Sequence, residues 1–202
     1  GGVWGLALLV ALLASASPAG AQPAFQCAAS AGVPTRMRAE GRAELSADFM
    51  LNCAGSVPVP ITGNVQIFLN TNITSRIVDP GTNATEALLT LDEPAPSSQV
   101  IGTNVFRGVV AGSNSLVWTN IPITPGGTSV SRTIRITNVR ANASQIGVSA
   151  SPTPQQVSMF VALTSTTAVP ISNPTQVAGT VFKGLDFDLR NCADSGSANL
   201  TF

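Results

Sequence analysis

The sequence predicts an all-β protein: an antiparallel β-sandwich, Ig-like/Greek-key or jelly-roll, behind an N-terminal signal peptide. Three observations carry this. Short apolar runs alternate with period two again and again along the chain. Gly, Pro, Asn and Asp punctuate them about every ten residues. Outside the N-terminal segment, no stretch keeps a helical period over several turns.

The 202 residues suffice for one domain with a real core. Charged residues make up 10% of the chain and the net charge is zero, which removes the electrostatic footprint of a nucleic-acid binder. The 44% hydrophobic content separates it from disordered chains.

Residues 3–16 are a continuous apolar and small run, followed by Ser17-Pro18 and then Ala19-Gly20-Ala21, an A-x-A cleavage pattern. The run is shorter than the roughly 20 residues that span a bilayer, so it reads as a signal peptide rather than an anchor. Residues 1–21 are therefore expected to be removed, leaving 22–202 as a single domain without stable membrane insertion. A split near 122–128 is the alternative. Gly1 stands where a start Met and basic segment would, and residues 198–202 look like an interrupted strand. A fragment cut at both ends is the expectation.

The stretch from Cys27 to Cys53 organises the rest. Ala43, Leu45, Ala47, Phe49, Leu51 and Cys53 alternate with Arg42, Glu44, Ser46, Asp48 and Asn52. Residues 35–40 alternate as well. A hairpin turning at Glu40-Gly41 sets Arg38 against Arg42, Met37 against Ala43 and Arg36 against Glu44. The same register brings Cys27 opposite Cys53, and a disulfide between them is expected. The Arg38–Arg42 pair and the irregularities at Gly32 and Pro34 count against the turn end of this hairpin. Cys192, the third of three cysteines, is left over. Its partner would be a cysteine beyond Phe202, another chain, Cys27 or Cys53, or it is a free thiol.

Further strands follow in order. Val65, Ile67 and Leu69 alternate with Asn64, Gln66, Phe68 and Asn70. After the Asp79-Pro80-Gly81 turn, Ala87, Leu89 and Leu91 point inward. Residues 105–111 and 115–121 have hairpin spacing. Ile134 and Ile136 alternate with Thr133, Arg135 and Thr137, and residues 146–149 make a short strand. Val157, Met159, Val161 and Leu163 alternate with Gln156, Ser158, Phe160 and Ala162. Val181, Leu185, Phe187 and Leu189 line one face of a last strand, 177–189.

Histidine is absent, which removes Ser-His-Asp and Cys-His catalysis, His-ligated metals and the usual neutral-pH base. Lys183, the only lysine, lacks a Ser-x-x-Lys motif. There is no nucleotide-binding motif and no C-x-x-C. Local carboxylate pairs that a glycosidase would need are Glu40/Glu44, Asp92/Glu93 and Asp186/Asp188. Each also reads as a hairpin rim, a strand end or a solvated face. Asp186, Asp188 and Asp194 form a candidate calcium set, without the Ca²⁺-loop motif, so that no cofactor beyond structural calcium is expected. Trp118 is a candidate glycan platform beside a turn, against the commoner role of a core tryptophan. Asn72-Ile73-Thr74, Asn83-Ala84-Thr85, Asn142-Ala143-Ser144 and Asn199-Leu200-Thr201 match the N-glycosylation pattern, which has meaning only in a host that glycosylates.

With Cys27, Arg38-Ala39-Glu40-Gly41, Leu51-Asn52-Cys53 and Arg135-Ile136-Thr137-Asn138-Val139-Arg140, the chain resembles a group of uncharacterised secreted proteins of soil Acidobacteria-type bacteria over most of its mature length. The resemblance implies a bacterial exported β protein and no particular activity. The resulting expectation is a non-enzymatic structural or adhesive protein, secreted or on the bacterial surface, with other copies or surface glycans as partners. A carbohydrate-binding module and a carboxylate glycosidase are the alternatives.

Overall fold

The computed structural model of the chain describes residues 25–56, 59–125, 131–148 and 154–185. These are all-β: β1 (Gln26–Ala31), β2 (Thr35–Arg38), β3 (Glu44–Leu45), β4 (Phe49–Ala54), β5 (Thr62–Leu69), β6 (Ile77–Asp79), β7 (Ala84–Leu91), β8 (Val105–Gly112), β9 (Ser115–Pro122), β10 (Ser131–Thr137), β11 (Arg140–Ala141), β12 (Gln155–Ser165), β13 (Ile171–Ser172) and β14 (Thr175–Phe182). One large sheet holds twelve of them in the order β13-β1-β4-β10-β7-β8-β9-β5-β12-β14-β2, with β6 beside β7; β11 and β3 form a separate pair.

The expected antiparallel sandwich is corrected here to one continuous mixed sheet that curls as a half-barrel. Its interior pairings are antiparallel, but β1–β13 and β14–β2 are parallel. The curl is visible in the chain path. β13 and β14 are separated only by Asn173-Pro174, yet they pair at opposite ends of the strand order. Gln176 Nε2 also donates to the Ala29 carbonyl at 3.4 Å, across the two ends.

Alternation places the core as expected. Phe49 and Leu51 of β4, Val65 and Ile67 of β5, Leu89 of β7, Ile134 and Ile136 of β10, and Val157, Met159 and Val161 of β12 are all buried. Each such side chain contributes about 1.5–3 kcal/mol by leaving water.

The Cys27–Cys53 disulfide is present, between directly opposed residues of β1 and β4 whose Cα atoms lie 3.9 Å apart. The register is the one the sequence implies, from Gln26↔Ala54 to Ala31↔Phe49. The turn end of the predicted hairpin does not form. Pro34 has no N–H to give a ladder, so the β1–β4 pairing stops beforehand. Residues 35–38 cross instead to β14, with Met37 beside Val181. Met37 is buried there, and it fills the space above Gly179, where a Cβ would collide with its side chain. Arg38 escapes Arg42 and bonds Glu44 at 3.1 Å.

Two smaller expectations are corrected. The short strand at 146–149 is replaced, among the described residues, by a 3-10 turn at Ala143–Gln145 that runs into Ile146 in helical conformation. The last strand spans Thr175–Phe182; the remainder of its predicted length from 186 lies outside the described residues.

Candidate functional site

The outer surface of the sheet is built from the residues that alternate with the core, and its two halves differ. On the first half, Arg135 sits mid-strand on β10, between Met50 of β4 and Thr90 of β7. Its Nη2 donates to Asp48 Oδ2 at 2.6 Å and its Nη1 to Glu93 Oε1 at 3.0 Å. The hydrogen bond to Asp48 is the main cause that raises the guanidinium above its ordinary pKa. Next to it, Asp92 and Glu93 both adopt positive φ, 55° and 45°. Such backbone is rare for Glu and must be held by its surroundings. Asp92 N donates to Thr133 O at 2.7 Å, and Thr133 N donates back to Asp92 Oδ1 at 3.0 Å. Arg132 Nη2 lies 3.2 Å from Asp92 Oδ2. A shallow depression of about 320 Å³ beside this corner is lined by Leu88, Thr90, Glu93, Pro94, Gln99, Arg135 and Thr137.

Arg132 itself is an inward-facing residue, in phase with Ile134 and Ile136, and is only 8% exposed. Its Nη1 donates to the Pro122 carbonyl at 2.6 Å, while its Nε has no partner among the described residues.

The predicted carboxylate pairs among the described residues, Glu40/Glu44 and Asp92/Glu93, are split between structural partners. Glu44 is held by Arg38. Glu40 accepts from the Gly184 and Leu185 amides. Its carboxyl lies below the ordinary value, chiefly through its own backbone N–H and then through those two amides. Asp92 belongs to Arg132 and Glu93 to Arg135. The remaining described carboxylates follow suit: Glu86 bonds Arg140 and Asp79 closes its own turn. Asp79 is pushed below its ordinary value by the Thr82 hydroxyl first and the Gly81 amide second.

Trp118, the candidate glycan platform, takes the commoner role of a core residue. It is 1% exposed, and its ring packs where Gly108 has no side chain; a Cβ there would sit 2.8 Å from Cζ2. Leu116, on the same phase of β9, is buried beside it. Among the described residues, no group accepts from the indole Nε1.

The second half of the outer surface carries the aromatic residues instead. Phe68 of β5 and Phe160 of β12 stand directly opposite each other. Their ring centroids are 6.1 Å apart and tilted by 41°. Phe160 is 42% exposed. The pair's row continues to Thr175 on β14, and the adjacent row runs Val109–Val117–Gln66–Ala162. Neither row contains a charged residue. Asn70 ties the end of β5 to β12, donating to Gln156 O and accepting from Ser158 N, both at 3.0 Å. The signal for this pair was in the sequence: Phe68 and Phe160 both fall on the polar phase of their strands. That they meet depends on the β5–β12 pairing.

Asp186, Asp188, Asp194 and Cys192 lie outside the described residues. Among the described residues, no group of three or more His, Cys, Asp or Glu is placed to hold a metal ion, and no helix is long and apolar enough to cross a membrane.

No family model matches the chain, and no curated protein matches it. Among solved structures, it is similar to a DUF4466 family protein from Parabacteroides merdae ATCC 43184, with a TM-score of 0.41 and 11% sequence identity. The match covers 80% of this chain and 46% of that one, so it spans about half of the neighbour's length.

Proposed function

We propose that this is an exported, non-enzymatic structural or adhesive β protein of a bacterial cell surface or secretome. The observation that carries the reading is the Cys27–Cys53 disulfide. It is fully buried and joins β1 to β4 at the end of the sheet that β13 closes. Such bonds form and persist in oxidising compartments. The A-x-A site after an apolar run supplies the export route. The use of every described carboxylate as a structural partner supports a scaffold rather than a hydrolase, since a glycosidase needs a carboxylate pair free to exchange protons and attack.

The test is expression of residues 1–202 in a bacterial host that secretes through a general signal-peptide route, followed by fractionation and peptide mapping without reduction. The expected product lies outside the cytoplasm, starts at Gln22 and has Cys27 joined to Cys53. A full-length cytoplasmic product with both thiols reduced overturns the reading.

A further inference from the structure

We propose that the Phe68–Phe160 face is a binding platform for a neutral polysaccharide chain. This deepens the adhesive reading and rests on it for the ligand's encounter with the protein. Its test uses purified protein and is therefore independent of export.

The argument begins with the cost of the arrangement. Aromatic residues are 5% of this chain. Phe160 nevertheless lies in the middle of the longest strand, on the solvent side, with 42% of its surface exposed. A cross-strand aromatic pair stabilises a sheet. That role is served by contact between the rings and does not require an open outer face.

The surroundings specify the ligand class. Phe160 is bordered by Thr175 across the ladder and by Ala162 two residues along its own strand, while Gln66 borders Phe68. Ala162 puts only a methyl group next to the ring, and the Gln66 amide and Thr175 hydroxyl can supply both donors and acceptors beside the pair. An apolar ring face with a few polar groups at its edge suits a pyranose, which has C–H faces and equatorial hydroxyls. Two rings tilted by 41° offer successive stacking planes to a twisted chain. The absence of charge from both rows matches a neutral ligand and disfavours nucleic acid, which needs Lys and Arg along its backbone. The platform is firm, because seven successive residue pairs from Met159↔Leu69 to Ser165↔Gly63 hold β12 to β5.

The experiment is affinity electrophoresis of the purified protein through native gels containing xyloglucan, glucomannan, mixed-linkage glucan, starch or, as an anionic control, alginate. The expected result is retardation in at least one neutral gel. Phe160→Ala and Phe160→Leu should each weaken it by about tenfold, the latter because it keeps an apolar side chain and loses the ring. Phe160→Trp should retain binding, and Arg135→Ala, on the other half of the outer surface, should leave it unchanged. Near-ultraviolet circular dichroism establishes that each variant is folded. Unaltered mobility in every neutral gel overturns the proposal, as does retardation that Phe160→Leu does not reduce. Sedimentation showing a dimer that Phe160→Leu dissolves, without glycan retardation, overturns it in favour of an interface between copies.

Discussion

On the β4–β10–β7 side of the sheet, polar groups answer one another: Asp48 and Glu93 grip Arg135, Asp92 meets Arg132, and Thr133 donates to Asn52 Oδ1 at 3.0 Å. On the β5–β12 side, the outward residues around Phe68 and Phe160 are uncharged, and the most exposed ring faces solvent. Both surfaces alternate with the same core, so burial does not explain the difference. It lies in where the surface chemistry is satisfied. The first face is complete within the chain, and the second retains unfilled contact area.

The contrast can be broken most severely at the staple beneath the charged face. Cys27→Ser with Cys53→Ser opens a link of sequence separation 26, at an expected cost of about 2–4 kcal/mol, read by thermal and denaturant unfolding. Hydrogen exchange should rise in β1 and β4 well before it rises in β5 and β12. Equal loss in both regions would show that the two faces are one cooperative unit. Between the faces, Gly108→Ala drives a Cβ into Trp118 and should destabilise by about 1–3 kcal/mol, with a shift in tryptophan fluorescence.

Smaller changes sharpen the comparison. Arg135→Ala leaves Asp48 and Glu93 without their shared cation. Because these groups are partly exposed, the loss should be about 1 kcal/mol and should shrink in molar salt. Phe160→Ser should cost no more than that, with no salt dependence. The smallest effect is acid titration. Glu40 and Asp79 have folded pKa values below their ordinary 4.5 and 3.8. A depressed carboxylate contributes stability that is present above the unfolded value and lost as pH falls through the folded one. Carbon-detected NMR should place both midpoints below those values, and stability should begin to fall as pH drops past them.

Much of the fold was legible because alternation is local. Leu51, Ile67, Leu89, Ile134 and Met159 announce inward faces by their neighbours alone, and the Cys27–Cys53 register follows from counting around Gly41. The parallel pairing of β2 was not legible. It depends on Met37 finding the gap above Gly179, a complementarity between residues far apart in sequence. The positive φ of Glu93 was hidden for a similar reason, since Arg135 and the neighbouring Thr133–Asp92 bonds hold that corner. Trp118 was legible as the commoner core tryptophan, and it is buried in phase with Leu116. Phe68 and Phe160 could each be placed outward from sequence, but only the order of strands brings them together.

The joining of both sheet ends by one short segment has a consequence in time. Gln176 reaches the Ala29 carbonyl across 147 residues of chain, and β13 pairs with β1, which is made long before it. Until residues 171–176 arrive, β1 offers an open edge, and a sheet of such long-range order closes slowly. A chain made N-terminus first thus leaves that edge available to any extended neighbour until β13 follows. The growing protein needs shelter over an interval set by the stretch of chain between β1 and β13.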